Sequence, residues 1–499
     1  MQGGGGGIDV GRVRTAAAAL LVFVLLPLAP AWAQDAAPTD FDRARQALDA
    51  GDFALAAQLL AACREAAPND AVVAAWLGSA QLKAGMAAEA VTTLQAAVDL
   101  APRDPVVRNN LGTALIETGD TEGGMSSYRA ALEIDPAFED ARYNLALALT
   151  DAKRLDEMLA LYKPFFDDPQ RRASAHLTVG QLLEKARQLR GAANHYQSAH
   201  TFDPSLSEAT LSLARAMIAL DETARAIELL QTEIAAGRAT PALRETLGVV
   251  YQSQGRYAEA VATLTPLRDE GHDTFELHRA LGMAQAQLGQ LAEAAASFQR
   301  ALGLRPKDVE TENNLGWVYA QQLVDNKAED HLVAALEGNP NLTSARKTLV
   351  AIYRRQGRTR EVVAQLEAIL GTDPGDTQAL HALVRAALTA PEVPLAEPTL
   401  RRMADTQSED PAFLGALGCL LVQRADYNGA ARILTKAAEL DPTNADIHNN
   451  LGAAHERLGL LEEALRDYRT ASHLDPEHKE AQTNAERVSA ALGVGRGTR

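Results

Sequence analysis

The sequence predicts an all-α fold built as a solenoid, and three observations predict it. The 499-residue chain is rich in Ala and Leu, holds only 5% aromatic residues, and lacks the Val/Ile/Thr runs that mark strands. A 34-residue period runs through nearly all of it, and small and bulky apolar residues recur at fixed places within that period. Once the period is assigned, no segment remains that is long enough for a separate catalytic domain.

The period is set by proline. Steps of 34 from Pro68 land on Pro102, Pro136, Pro204, Pro306, Pro340, Pro374, Pro442 and Pro476, with Gln170, Arg238, His272 and Ser408 at the other marks. No insertion or deletion is needed. Ten residues after a mark stands a small residue, as in Gly78, Gly112, Ala146, Gly180, Gly248, Gly282, Gly316, Gly418 and Gly452, preceded each time by an apolar residue such as Leu77 or Leu315. A second small residue follows twelve later, as in Ala90, Ala192, Ala294 and Ala464, and a bulky one four beyond that, as in Leu94, Tyr128, Tyr196, Phe298 and Tyr468.

Each unit therefore carries two helices, A and B, and the small residues mark where their backbones come too close for a larger side chain. The proline ends helix B because it has no N–H to continue the ladder. Asp70, Asp104, Asp308 and Asp376 follow it, placed to accept the orphan N–H groups of the next helix A. One such unit cannot bury its apolar stripe alone, so the units must stack.

This pattern resembles the tetratricopeptide repeat, a match that covers residues 37–478. The resemblance implies a right-handed α-solenoid of about thirteen 34-residue helix-turn-helix units with a capping helix at the C-terminal end. It divides the chain into a signal segment at 1–33, a short linker at 34–36, a first block of repeats at 37–390, a second block at 391–478 after a Pro-rich joint, and a capping helix with a disordered tail at 479–499.

The departures are local. Val350 and Val362 occupy both small positions of the tenth unit, which should hold its two helices further apart or shift their register. Pro391, Pro394 and Pro398 interrupt the eleventh, as a mobile joint or as a rigid turn stiffened by proline. Helix B of the fourth unit carries Met158 at the small position and then Lys163-Pro164-Phe165-Phe166, where a kink is expected.

At the N-terminus, Arg12 and Arg14 precede an apolar stretch from Ala16 to Leu28 and the string Ala31-Trp32-Ala33. This reads as a bacterial secretory signal cleaved after Ala33, giving a periplasmic or secreted protein; an uncleaved N-terminal membrane anchor is the alternative. The formal net charge of −17 and the lack of a basic stripe exclude nucleic acid as a partner class, and leave membrane contact only indirect, through envelope partners. Cys63 and Cys419 are too few for a disulfide scaffold. Neither they nor His448, His455, His473 and His478 show catalytic or metal-ligand spacing, so no enzyme activity, metal or cofactor is expected.

Binding residues are sought on helix A, which lines the concave face in tetratricopeptide proteins. Asn110, Asn144, Asn314 and Asn450 stand there with their neighbours Asn313 and Asn449, and the string N-N-L-G occurs three times. An Asn side chain offers both donor and acceptor, so it can hold the backbone of an extended peptide without selecting its side chains. The four match the asparagine ladder with which tetratricopeptide superhelices grip peptides, although Thr178, Ser212, Thr246, Ala280, Thr348, Ala382 and Ala416 replace the other rungs. The same residues also serve simply to cap or solvate helix starts. Trp76 and Trp317 fall on this face by register, with Trp317 beside Asn313 and Asn314 as the best anchor. The tail-binding clamp of chaperone-associated members is not assembled, since Ala351 stands four residues after Lys347 where that clamp needs Asn.

The expected function is a non-enzymatic scaffold or adaptor of the bacterial cell envelope. It binds partner proteins or extended peptides in the concave groove and supports assembly of a secretion, pilus, motility or cell-wall complex. The alternative is a periplasmic component of exopolysaccharide export. The sequence sets no oligomeric state.

Overall fold

The computed structural model describes residues 39–390 and 409–493. The expected signal, linker, Pro-rich joint from Pro391 to Pro398 and C-terminal tail beyond Gly493 lie outside the described residues. Within them the regular structure is 26 α-helices and one short 3-10 helix, Lys163–Phe165, with no strand. This is the predicted α-solenoid architecture.

The chain divides into two compact units, residues 1–243 and 244–499. The first stacks the pairs Asp40–Asp49 with Phe53–Ala66, Ala71–Lys83 with Ala87–Leu100, Pro105–Glu117 with Thr121–Ile134, Glu139–Asp151 with Leu155–Tyr162, Arg172–Lys185 with Leu189–Phe202, and Ser207–Ala219 with Thr223–Ala235. Beyond Pro241–Ser253 and Tyr257–Asp269, the second stacks Phe275–Gln287 with Leu291–Leu304, Val309–Gln321 with Asp325–Gly338, Thr343–Arg355 with Thr359–Thr372, Pro411–Gln423 with Tyr427–Leu440, and Ala445–Arg457 with Leu461–Leu474. Helix A of the eleventh repeat is Thr377–Thr389, and Lys479–Ala491 follows the last pair.

The small residues do what the spacing predicts. A Cβ on Gly112 would lie 2.7 Å from the Tyr128 ring, on Gly282 2.8 Å from Phe298, and on Gly316 2.7 Å from Leu332, so in these pairs the close bulky residue of helix B requires glycine on helix A. The pairs that meet most extensively are the glycine-bearing ones. In the tenth pair Val350 and Val362 are both buried.

The four predicted caps form. Asp70 Oδ1 accepts from the N–H of Val72 at 2.9 Å and Val73 at 3.2 Å, and Asp104 Oδ1 from Val106 at 2.8 Å and Val107 at 3.2 Å. Asp308 accepts from Thr311 N–H at 3.0 Å and Asp376 from Ala379 N–H at 2.9 Å. At the other end of helix A the chain reverses through a left-handed residue seventeen after each mark from Pro68 to Pro340, and again after Ser408 and Pro442. Gly85, Gly119, Gly255, Gly289, Gly357 and Gly459 hold it without strain, whereas Lys153, Arg187, Asp221, Leu323 and Ala425 hold it at φ near 61–62°.

The fourth repeat departs more sharply than a kink. Its helix B stops at Tyr162 and turns into the 3-10 segment around Pro164, because proline cannot donate to the α ladder. Met158 is fully buried where the small residue normally stands.

Candidate partner-binding surface

The A-helix asparagines divide by burial into two sets with different chemistry. In the first unit Asn109, Asn110 and Asn144 are all buried. They bond from repeat to repeat: Asn110 Nδ2 donates to Ser79 Oγ at 2.9 Å, Asn109 Nδ2 to Asn110 Oδ1 at 3.4 Å, and Asn144 Nδ2 to Asn109 Oδ1 at 2.9 Å. Buried amides must find partners, and these find each other. Only Asn144 Oδ1 is left buried without a donor. The arrangement is a stitch between consecutive A helices, with two side chains from the third repeat and one from each neighbour.

In the second unit Asn449 is buried and accepts from Asn484 Nδ2 at 3.2 Å, while Asn313 Oδ1 accepts from Ser344 Oγ at 3.2 Å. Asn314, Trp317 and Asn450 are half-buried, and among the described residues their side chains make no hydrogen bond. Asn314 and Trp317 lie one turn apart on Val309–Gln321, so one amide and one indole N–H face the same way with their hydrogen-bonding groups uncommitted. Trp317 rests its ring against the core of the second unit and leaves its polar edge accessible.

Trp76 is placed differently from the surface position that register assigned it. It is 6% exposed and packs edge-on to Phe41 at 5.7 Å between ring centres, and its Nε1 is buried with no acceptor. It is a core residue of the first two repeats, because the short helix Asp40–Asp49 lays Phe41 directly over it.

Ser79, Ser344 and Asn484 are the partners that sequence reasoning missed. Asn484 was available to it, since it lies 34 residues after Asn450. The two serines carried no such signal, because a single hydroxyl on helix A is unremarkable until its neighbour is known.

The basic gathering at Lys347, Arg354, Arg355 and Arg385 is partly neutralised. Lys347 Nζ pairs with Asp376 at 2.7 Å, and Arg355 pairs with Asp325. The C-terminal histidines serve the fold: His455 Nδ1 meets Asp467 at 2.7 Å, and His478 caps Lys479–Ala491 by accepting from Ala481 N–H at 3.3 Å. Among the described residues no three His, Cys, Asp or Glu side chains converge to hold a metal. Cys63 and Cys419 are free thiols, and burial pushes the pKa of both up, away from the thiolate form.

One cluster has no counterpart in the sequence reading. Where helix B of the fourth repeat stops short, Phe166 stacks on His176 at 4.3 Å, and His176 and His195 bring their Nδ1 atoms to 3.0 Å. One ring must donate and the other accept, so at least the accepting ring is neutral, and burial pushes the pKa of His176 down as well. Burial, followed by the neighbouring His176, pushes His195 down to about 4.

Stacked helix pairs, glycine-packed interfaces and a row of A-helix side chains define an all-α repeat scaffold. Tetratricopeptide-repeat models match residues 47–112, 106–138, 246–309 and 445–478, and a TPR-repeat model matches 418–459. The chain is a tetratricopeptide-repeat protein. It is 25% identical over 247 residues to superkiller protein 3 of Schizosaccharomyces pombe, covering 46% of this chain and 18% of that one. It is 27% identical over 148 residues to the BBSome complex member bbs-4 of Caenorhabditis elegans, covering 30% and 32%. The chain thus spans less than a third of either relative. Among solved structures, MamA 41-end from Desulfovibrio magneticus RS-1 is 16% identical over 34% of this chain and 96% of its own, with a TM-score of 0.32. Naa15/Naa10 bound to HypK-THB is 13% identical over 91% and 96%, with a TM-score of 0.28. At such scores the fold rests on the helices themselves.

Proposed function

We propose that the chain is a non-enzymatic scaffold that holds an extended segment of a partner protein along the A helices of its second unit. The observation that carries this reading is the pair Asn314 and Trp317: one turn apart, half-buried, with an amide and an indole N–H that no neighbour uses. An extended peptide supplies what such a pair takes, a backbone carbonyl and N–H for the amide and an apolar side chain for the ring. Asn450 extends the same chemistry further along the unit. Within the same unit the buried Asn449 ties its A helix to the next through Asn484.

The site of action we propose is the bacterial envelope, in the periplasm or beyond it, where such a scaffold assembles a secretion, pilus, motility or cell-wall complex. The charged, apolar and A-x-A segments of residues 1–33 support it. Among the described residues no helix is long and apolar enough to cross a membrane. N-terminal sequencing of protein recovered from the producing cell should begin at Gln34; a chain retaining Arg12 and Arg14 would contradict export by cleavage.

The binding surface is tested by Trp317→Ala combined with Asn314→Ala. Loss of a partly buried aromatic anchor costs about 2 kcal/mol or more of binding energy, so partner affinity should fall at least about thirtyfold. Unchanged affinity would move the site elsewhere.

A further inference from the structure

The last helix B, Leu461–Leu474, differs in charge from every other described helix B. Its outward stripe carries Arg466, Arg469 and His473, three to four residues apart and so on one face. Steps of 34 place Glu65, Asp99, Glu133, Asp269, Glu337 and Glu439 at the position of His473 in other repeats. No other described helix B carries more than one cation across these three positions. Arg129, one of the exceptions, pairs with Glu157 at 3.2 Å. Arg466, Arg469 and His473 are exposed and make no ion pair among the described residues.

The stripe edges a groove. Leu465, Leu474 and Leu492 supply apolar surface, Glu462 and Thr470 complete the lining, and the groove, open to solvent, holds about 690 Å³. It lies between Leu461–Leu474 and Lys479–Ala491, on the side where helix B of one repeat meets helix B of the next. Among the described residues no helix B packs there after Lys479–Ala491. That helix presents Glu486 at the register position held by glycine or alanine in most other A helices and by Val350 and Val384 in two.

We propose that this groove docks a short acidic amphipathic helix of a partner protein, leucine-like side chains against Leu465, Leu474 and Leu492 and carboxylates against Arg466 and Arg469. Charge selects the occupant: two exposed arginines on one helix face with no carboxylate paired to them attract an acidic segment. The surface is separate from Asn314 and Trp317, so either proposal can fail without the other.

The test uses the full chain and a fluorescein-labelled amphipathic helical peptide with leucines on one face and glutamates on the other, read by fluorescence anisotropy. A peptide with lysines for glutamates is the control. The glutamate peptide should bind at least about tenfold tighter than the lysine peptide, and Arg466→Glu with Arg469→Glu should abolish the difference. Added salt should weaken the binding, because the charges are exposed. Circular dichroism of the double variant, together with unchanged binding after Trp317→Ala, keeps loss of folding and loss of the other surface distinguishable from loss of this site. Equal binding of the two peptides overturns the proposal, and so does binding that survives the charge reversal. Binding of phosphatidylglycerol vesicles that is lost on reversal, with no binding of the glutamate peptide, overturns it in favour of a lipid surface.

Discussion

His195 carries the clearest pH dependence in the chain. Its neutral form is favoured in the fold because burial penalises the charge and His176 adds to the penalty, so its pKa falls from the ordinary 6.5 to about 4. The unfolded chain then binds more protons than the folded one between those values, and stability must drop as pH falls through that window. Above about 6.5 the contribution is complete, and below about 4 no more is lost. His195→Phe, which keeps an aromatic ring against Phe166 and His176, should flatten the loss of stability of the fifth repeat between pH 7 and pH 4.5, measured by hydrogen exchange on Arg172–Lys185 and Leu189–Phe202. An unaltered slope would place the titrating group elsewhere. The contact was legible only as a register: His176 and His195 are nineteen residues apart on helices A and B of one repeat, like Glu312 and His331, which also meet, whereas the burial that sets the shift depends on local packing.

At the scale of the helix pair, the same substitution should have opposite effects at two glycines. Gly112→Ala places a Cβ against the Tyr128 ring and 3.0 Å from the Gly124 carbonyl oxygen, and should lower the stability of the third repeat by about 1–3 kcal/mol. Gly303→Ala, in a helix with nothing within 4 Å of the new atom, should raise stability by about 0.5–1 kcal/mol. Because repeat arrays unfold in parts, local hydrogen exchange is the readout rather than one melting temperature. This level was the most legible. The Pro, Asp and Gly marks each have one physical reason to recur, and each reason holds in the structure at Pro102, Asp104 and Gly112. The left-handed turn residues were less legible because Lys153, Arg187, Asp221, Leu323 and Ala425 carry no glycine signal, and neighbouring repeats impose the conformation on them. The asparagines show a different limit. Their period was readable, but whether an amide faces a ligand or a neighbouring repeat depends on local burial, which separates Asn144 from Asn314 although both occupy the same register position.

For the whole molecule, the account makes stacking and holding two uses of one repeated helix. Buried A-helix amides set the spacing, and exposed ones at other repeats are left to a partner. In-cell photo-crosslinking tests this most directly, with a photoreactive amino acid placed in turn at Trp317, Asn450 and Asn144 and the products identified by mass spectrometry. The account predicts protein crosslinks from positions 317 and 450 and none from position 144, which lies buried against Asn109. Equal yields from all three positions, or products that contain only polysaccharide, would contradict it.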